Sequence, residues 1–357
     1  MTTTDLIVAK VGTSSVTTPD GRVDTDVLAA VARDVATLRA RGVAVIVVTS
    51  GAITAGWAEV GAGAPRPQDP VTLQAVSAVG QPLLMDAWRA AFAGVSLPVG
   101  QVLLAPLDFS HRAQYLHARR TLAALNHLGV VPIVNENDAV ADQEIRFGDN
   151  DRLAALVANV VGAREVVLLT DTPGLLTADP RLDPNATLIE EVTAIDRALE
   201  EVAGASRSGV GSGGMASKLA AARVATWSGV AAVIAPARVS EPLVAAHDRR
   251  PGSGTFFTPR ADRLTARKAW IAFAGSPAGS VRVNTGAAEA LVRDKRSLLR
   301  VGVTHAEGDF VAGDVIDVLG PSGELLARGI ARVDCEDWED VTDVFVHRDD
   351  LVVLLSA

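Results

Sequence analysis

A glycine-rich stretch that ends in a lysine is the most chemically informative part of this 357-residue sequence. Residues 204–218 read Gly-Ala-Ser-Arg-Ser-Gly-Val-Gly-Ser-Gly-Gly-Met-Ala-Ser-Lys, and an alanine-rich segment of helical composition follows at 219–228. Glycines let the backbone turn several N–H groups towards one anion, and a helix N-terminus and a lysine add positive charge. The stretch therefore predicts a cradle for phosphate groups around Lys218.

Two common phosphate-binding motifs do not describe this stretch. Gly209, Gly211 and Gly214 have the spacing G-x-G-x-x-G, but the dinucleotide-binding motif follows a buried strand, whereas the preceding segment 196–202 is charged and of helical composition. In the P-loop motif a glycine precedes the lysine, and here Ser217 occupies that place. A flexible surface loop between two helices is the alternative interpretation of the stretch taken alone.

Short apolar runs alternate with helical patterns through about residue 236, which predicts a mainly parallel sheet between layers of helices. The predicted strands are 5–11, 43–48, 99–105, 130–134, 166–169 and 231–235. The predicted helices are 26–40, one that begins near 52, 73–92, 113–128 and one that begins near 150. Gln74, Gly80 and Gln81, inside the helix 73–92, are interpreted as packing or surface residues.

Polar or glycine residues follow nearly every predicted strand, and in open α/β sheets ligands bind at that edge. Histidine does not occur among these strand-end residues, so acid–base catalysis by imidazole is not expected there. The candidate site residues at this edge are Lys10, Ser50, Gly51, Ala52, Asn135, Asp138, Asn150, Asp151, Thr170 and Asp171. Lys10, near the end of the first strand, is expensive to bury unless it meets an anion.

Two lysines and a glycine loop suit the negative charge that spreads over a phosphoryl group during transfer. A carboxylate between Lys10 and Lys218 would keep both lysines protonated and aimed at that group. Asp151 is the candidate for this role. These residues predict phosphoryl transfer.

The C-terminal part has a different pattern, with short strands and frequent turns that are typical of a small β-barrel. Its predicted strands are 281–283, one at 301, 315–318, 325–327, 330–333, 344–347 and 352–355. Gly-Ser-Pro-Ala-Gly at 275–279 reads as a linker. We therefore predict a catalytic domain at 1–274 and a small β domain at 279–357.

Composition excludes several classes of protein. A net charge of −9 argues against bulk binding to nucleic acid or membranes. The single cysteine, Cys335, excludes an internal disulfide framework. The first residues lack the basic region of a signal peptide, and no run of 18 apolar residues occurs. A cytoplasmic location is expected.

In combination, several segments resemble the glutamate 5-kinases, a group within the amino acid kinase family that carries an appended PUA domain. The segments that carry the resemblance are 8–14, 48–53, 134–140, 148–151, 168–175, 177–181 and 211–218, with 297–299, 308–310 and 347–350 in the PUA part. The resemblance covers almost the whole chain. It implies the amino acid kinase fold for 1–274 and a PUA domain for 279–357.

The resemblance also implies an activity: ATP-dependent phosphorylation of the γ-carboxylate of L-glutamate to L-glutamyl 5-phosphate, the first step of proline biosynthesis. Lys10 and Lys218 would flank the transferred phosphoryl group, and Asp151 would orient them. Glutamate would be held by Ser50, Asn135, Asp138 and Asn150, with the Gly51 and Ala52 N–H groups on its carboxylates. ATP would contact Lys10, Thr170, Asp171, Ser212, Gly213, Gly214, Met215, Ala216, Ser217 and Lys218.

A glutamate carboxylate, with a pKa of about 4.3, is already ionised at neutral pH and needs no general base, which agrees with the lack of histidine. Mg²⁺ would bridge the ATP phosphates with few protein ligands, and we assign no residue to the metal.

The family also implies a homo-oligomer inhibited by proline. One alternative is a relative that acts on another carboxylate, a carbamate or a phosphate. Another is RNA binding through the PUA domain, which the interspersed acidic residues disfavour.

Overall fold

The computed structural model describes residues 5–354 except 62, 106–107, 110–111, 141–149, 197–198, 200–202, 204–213, 275–276 and 340–342. The chain divides into two compact units, Met1–Arg263 and Leu264–Ala357. Most of the glycine stretch, including the predicted nucleotide contacts Ser212 and Gly213, lies outside the described residues. The first unit contains all the other predicted site residues.

The first unit is built on a sheet of eight strands in the order β3-β4-β2-β1-β5-β7-β8-β6. The strands are β1 (Asp5–Val11), β2 (Val43–Thr49), β3 (Val99–Leu104), β4 (Val131–Glu136), β5 (Glu165–Thr170), β6 (Glu191–Val192), β7 (Ala231–Pro236) and β8 (Thr255–Phe257). Every neighbouring pair is parallel except β7 and β8. The predicted mainly parallel sheet is confirmed.

Helices connect the strands, as expected for right-handed crossovers between parallel strands. They are α1 (Thr13–Val16), α2 (Thr25–Ala40), α3 (Ala52–Val60), α4 (Pro70–Ala93), α5 (Arg112–His127), α6 (Asn150–Val161), α7 (Met215–Trp227) and α8 (Pro242–His247), with a 3₁₀ turn at Asp138–Val140. Asp24 and Asp69 cap α2 and α4 by accepting the N–H groups of Val27 and Thr72. Helix α7 begins at Met215, before the predicted start at residue 219.

The sheet separates two apolar layers. On one face, alternate strand residues such as Ile7 and Val45 form a core with α2, α4 and α8. The intervening residues, such as Val8 and Ile46, are also fully buried, and α6 and α7 contact the strands and each other. Because side chains alternate along a strand, Lys10 lies on the same face as Val8, where α6 and α7 pack.

Helices α3 and α4 cross at two glycines. A Cβ atom on Gly56 would collide with the carbonyl oxygen of Val76, and one on Gly80 would collide with that of Ala52. The two backbones can approach this closely only because neither residue has a side chain. The crossing therefore fixes the beginning of α3 relative to the middle of α4.

The second unit has a five-stranded sheet in the order β11-β9-β12-β13-β15 and a two-stranded pair, β10-β14. Its strands are β9 (Gly279–Val283), β10 (Leu298–Leu299), β11 (Val303–Gly308), β12 (Val315–Leu319), β13 (Leu325–Ile330), β14 (Val344–Val346) and β15 (Leu351–Val353). Its helices are α9 (Ala266–Ala269), a π-helical turn (Trp270–Ala274), α10 (Thr285–Val292) and 3₁₀ turns at Arg300–Gly302 and Arg348–Asp350. Phe310 and Phe345 meet edge-to-face in its core.

The structure differs from the sequence predictions in three places in this part of the chain. Residues 331–333, predicted as part of a strand at 330–333, lie beyond the end of β13 at Ile330. Val301, predicted as a strand, lies in a 3₁₀ turn. Residues 264–274, assigned to the catalytic domain, belong to the second compact unit. The reason is tertiary contact: Arg267 pairs with Asp350, and Arg328 donates to the carbonyl of Ala272.

Candidate active site

Lys10, Asp151 and Lys218 meet at the C-terminal edge of the parallel strands. Lys10 Nζ lies 2.6 Å from Asp151 Oδ1, and Lys218 Nζ lies 3.2 Å from Asp151 Oδ2. The three residues are 4%, 1% and 6% exposed, respectively. The structure thus brings together the two lysines and the carboxylate that the sequence analysis grouped, and their catalytic roles stay predictions.

Each member of this cluster comes from a different element. Lys10 lies next to the end of β1, a central strand between β2 and β5. Asp151 is in the first turn of α6, and Lys218 is in the first turn of α7. Ser217, beside Lys218, donates its hydroxyl to Asp151 Oδ2 at 3.2 Å. The two oxygens of the Asp151 carboxylate therefore contact groups from two different elements, β1 and α7, and these contacts fix the orientation of the carboxylate.

The charges in this cluster explain how Asp151 stays ionised. Burial alone would raise the pKa of its carboxyl, but the ammonium groups of Lys10 and Lys218, with their hydrogen bonds, outweigh burial and hold that pKa below its ordinary value. Two ammonium groups around one carboxylate leave these three residues with a net charge of +1. A buried excess of positive charge is suited to a phosphoryl group.

Gly12, directly after β1, keeps space open above Lys10. Its N–H donates to the carbonyl of Leu169 at 3.3 Å, and a Cβ atom at this position would lie 3.4 Å from Lys10 Nζ. Any larger side chain would extend over the ammonium group. The absence of a side chain leaves that group accessible to a ligand.

A second group of buried polar residues follows β2 and β4. Ser50 is 4% exposed, and Ala52, at the start of α3, is 2% exposed. Gly51 between them has a φ of +104°, and a Cβ there would lie 2.7 Å from Val16 Cγ2. The turn therefore requires glycine for both its conformation and its packing.

Asn135 and Asp138 lie at the end of β4 and are 2% and 6% exposed. Asp138 Oδ2 accepts a hydrogen bond of 2.6 Å from Ser77 Oγ, while Oδ1 has no partner among the described residues. Burial raises the pKa of the Asp138 carboxyl, although the Ser77 hydroxyl and the charge of Arg66 act in the opposite direction. A cationic ligand group at Oδ1 would relieve the cost of burying this carboxylate.

Asn150 connects the two groups of residues, because it directly precedes Asp151 in the first turn of α6. It is 4% exposed, and its Oδ1 has no partner among the described residues. The polar cluster and the lysine cluster are therefore joined through one backbone segment.

The predicted nucleotide contacts lie around the end of β5 and the start of α7. Thr170 is buried and donates its hydroxyl to the exposed Asp171 at 3.1 Å. In α7 the first intrahelical hydrogen bond runs from the Lys218 N–H to the Gly214 carbonyl at 3.3 Å. Lys218 therefore lies within the N-terminal turn of α7, and a helix N-terminus favours a bound anion.

A pocket of about 250 Å³ lies beside these residues and has mainly apolar walls. It is lined by Thr172, Pro173, Gly174, Leu175, Leu176, Ala178, Asp179, Pro180, Arg181, Ala203 and Met215. Met215 joins the pocket to the beginning of α7. A mainly apolar pocket next to a helix N-terminus could hold a nucleotide with the base in the pocket and the phosphates at the helix.

The described residues contain no group of three or more histidine, cysteine, aspartate or glutamate side chains arranged to hold a metal ion. Among the described helices, none combines the length and the apolar character that crossing a membrane requires.

Comparison with known proteins shows which family the chain belongs to. Residues 5–235 match the model of the amino acid kinase family, and residues 279–346 match the model of the PUA domain. A glutamate 5-kinase of Geobacter sp. (strain M21) is 42% identical, with 98% of this chain and 97% of that protein aligned. Those of Bifidobacterium animalis subsp. lactis (strain AD011) and Mycobacterium tuberculosis (strain ATCC 25618 / H37Rv) are 44% and 43% identical over 98% of this chain and 95% and 94% of theirs.

The chain belongs to the glutamate 5-kinases of the amino acid kinase family.

A solved structure of aspartate kinase from Synechocystis matches 78% of this chain and 44% of its own, with a TM-score of 0.50 and 20% identity. At this identity the likeness concerns the fold alone. It agrees with the amino acid kinase fold, a mainly parallel sheet between helices, and the match at 279–346 agrees with the predicted PUA domain.

Two groups of residues at this candidate site were not predicted from the sequence. The first is the pocket lining between Thr172 and Arg181. Thr170 and Asp171, which directly precede this lining, were predicted, but the lining itself was not. The second is Ser77 and Gln81 on α4, because Gln81 was interpreted as a packing or surface residue. The structure corrects that interpretation: Gln81 Oε1 accepts a hydrogen bond of 2.7 Å from Asn135 Nδ2. Two polar residues four positions apart on a largely apolar helix were the available signal.

Proposed function

We propose that this chain catalyses the ATP-dependent phosphorylation of the γ-carboxylate of L-glutamate, which gives L-glutamyl 5-phosphate and ADP as the first step of proline biosynthesis. The observation that carries the proposal is the buried Lys10–Asp151–Lys218 cluster, beside a separate polar cluster that contains Asp138. One cluster suits the phosphoryl group and the other suits the amino-acid acceptor.

In the proposed reaction a γ-carboxylate oxygen attacks the terminal phosphorus of ATP. A new P–O bond forms, the bond from phosphorus to the ADP oxygen breaks, and no proton has to leave the nucleophile. Lys10 and Lys218 would stabilise the charge on the phosphoryl oxygens, and burial makes each ammonium group more effective than in water. Asp151 would keep both ammonium groups protonated and oriented.

The acceptor would bind at the ends of β2 and β4. Asp138 Oδ1 and Asn150 Oδ1, both buried, are oriented acceptors for the substrate ammonium group. The Gly51 and Ala52 N–H groups, at the turn into α3, would bind a carboxylate. Mg²⁺ bound to the ATP phosphates would supply further positive charge during transfer.

The test is a hydroxylamine trap, because hydroxylamine converts an acyl phosphate into a hydroxamate that can be measured by colour. The protein is incubated with ATP, Mg²⁺ and L-glutamate, and with each reagent omitted in turn. We expect hydroxamate and ADP in equal amounts only in the complete mixture. Equal ADP release without hydroxamate, or a preference for another carboxylate, a carbamate or a phosphate in a panel of acceptors, would contradict the proposal.

We further propose a homo-oligomer. The exposed side of α4 presents Val71, Val79 and Leu83, and β3 forms an open edge of the sheet with Leu103 exposed. Apolar side chains next to an unpaired strand edge favour association with another chain. Light scattering coupled to gel filtration would measure the oligomeric state, and a monomer at all concentrations would contradict it.

Inhibition by proline is proposed on chemical grounds, since proline carries an α-carboxylate and an ammonium group like those of glutamate. A fall in the initial rate when proline is added at fixed glutamate would support it.

We expect no RNA binding by the PUA domain, which a salt-dependent gel shift would test. We propose a cytoplasmic location, because ATP is available there as the substrate. Cell fractionation should find the protein in the cytoplasmic fraction.

A further inference from the structure

Helix α4 contributes two polar side chains to the candidate acceptor site. Ser77, 4% exposed, contacts Asp138, and Gln81, one helical turn later, contacts Asn135. Residues four positions apart on a helix lie on the same face. One face of α4 therefore contacts both Asn135, at the end of β4, and Asp138, just after it.

The direction of the hydrogen bonds through Gln81 is determined by a backbone group. The Glu136 N–H, which can only donate, lies 2.9 Å from Asn135 Oδ1. The amide oxygen of Asn135 is therefore the acceptor, and its Nδ2 donates to Gln81 Oε1 at 2.7 Å. It follows that Gln81 Nε2 is the free end of the chain of hydrogen bonds and is a donor.

Gln81 Nε2 is buried and has no hydrogen-bond partner among the described residues. A buried donor without an acceptor is costly, so such an atom calls for an explanation. Two acceptors in the same site, Asp138 Oδ1 and Asn150 Oδ1, are also buried and without partners in the described chain. A ligand that satisfies all three atoms has to carry both hydrogen-bond acceptors and donors.

An α-amino acid head group meets this requirement, because its carboxylate accepts hydrogen bonds and its ammonium group donates them from the same carbon atom. The Gly56–Gly80 crossing of α3 and α4 holds Gln81 at a constant position relative to the turn at Ser50. The donor on Gln81 is therefore a fixed part of the site.

We propose that Gln81 is a specificity-determining residue that donates from Nε2 to the α-carboxylate of the substrate. Ser77 is a positioning residue that directs Asp138 Oδ1 towards the substrate ammonium group. This inference rests on the proposed function, with the γ-carboxylate at the lysine cluster and the α-carbon substituents at α4.

The test compares two ligands that differ only at the α-carboxylate: L-glutamate and 4-aminobutyrate, which keeps the chain, the γ-carboxylate and the ammonium group. In the Gln81→Met variant the donor is lost. In the Gln81→Glu variant an oxygen still accepts from Asn135 Nδ2, but the donor is replaced by a negatively charged oxygen. A hydrogen bond to a charged group corresponds to about a 10- to 100-fold change in affinity.

We expect both variants to weaken L-glutamate binding by about 10- to 100-fold and 4-aminobutyrate binding by less than about twofold. Dissociation constants are measured by calorimetry for glutamate and by competition for 4-aminobutyrate, and KM for ATP should not change. Gln114→Met, the same substitution at an exposed position on α5, is the matched control. The melting temperature of each variant reports whether it folds.

Ser77→Ala should weaken binding of both ligands alike, because both carry the ammonium group, and should spare glutarate, which lacks it. Equal losses for glutamate and 4-aminobutyrate in both Gln81 variants would overturn the assignment, since they would indicate a general structural effect. Failure of the proposed function is distinguishable, because the unmodified protein would then not phosphorylate glutamate at all.

Discussion

Replacing Lys218 by methionine removes one of the two ammonium groups at Asp151 while nearly preserving the length of the side chain. A unit charge about 4 Å from a developing charge contributes about 4 kcal/mol at an effective dielectric constant of about 20. Since about 1.4 kcal/mol changes a rate tenfold, kcat should fall by about a thousandfold. The low exposure of Lys218, 6%, justifies a value well below that of water for the dielectric constant.

The same substitution should change stability much less than activity. Asp151 keeps Lys10 at 2.6 Å and the hydroxyl of Ser217 at 3.2 Å, so the buried carboxylate is not left without a counter-charge. We expect the free energy of unfolding to fall by less than about 3 kcal/mol, the lower limit for breaking a buried pair outright. The phosphoryl-transfer role thus predicts a large kinetic effect in a folded protein.

The assay is ADP release under saturating glutamate and ATP, with the melting temperature measured on the same sample. Lys295→Met, which removes an exposed lysine from the second unit, is the control and should leave kcat unchanged. If Lys218→Met keeps kcat within about tenfold of the unmodified protein while folded, the charge calculation and the proposed role of Lys218 are both wrong.

Three other substitutions test separate parts of the structure. Asp151→Asn removes the carboxylate that both buried lysines contact and should lower the free energy of unfolding by about 3–5 kcal/mol, measured by urea unfolding. Asp138→Ala should raise the KM for glutamate by at least about tenfold with little change in the KM for ATP, because it removes the acceptor for the ammonium group. The hydrogen bond to Glu165 raises the pKa of His247 above 6.5 against the effect of burial, so protonation stabilises the fold at low pH. This stabilisation is lost as the pH rises above about 6.5, and the melting temperature should fall less steeply over that range in His247→Gln.

Each of these predictions has a result that contradicts it. An Asp151→Asn protein as stable as the original would show that the lysines do not depend on the carboxylate. An unchanged glutamate KM in Asp138→Ala would remove Asp138 from the acceptor site. Equal pH dependence of the melting temperature with and without His247 would show that its pair with Glu165 does not contribute.

The features that follow from local sequence were predictable. The apolar runs that became β1, β2 and β5 read as buried strands, and each ends in small polar residues. Because the C-terminal ends of parallel strands share one edge, the convergence of Lys10, Ser50 and Thr170 on that edge followed from the strand pattern alone. The grouping of Lys10 with Asp151 and Lys218 came from their charges.

The features that depend on tertiary contact were not predictable in the same way. Gln81 is a polar residue on a helix, and its hydrogen bond to Asn135 forms only when the fold places β4 beside α4. The boundary at residue 263 reflects long-range contacts such as that between Arg267 and Asp350, which are 83 positions apart. The glycine stretch suggested a helix start near residue 219, whereas α7 begins at Met215 and so brings Lys218 into its first turn.

Asn150 and Asp151 are consecutive residues, and this adjacency couples the proposed acceptor site to the lysine cluster. One peptide bond joins Asn150, which we propose faces the acceptor, to Asp151, which contacts both lysines. Any tilt of α6 would therefore move these two side chains together. A substitution that displaces the first turn of α6 should accordingly impair glutamate binding and phosphoryl transfer at the same time.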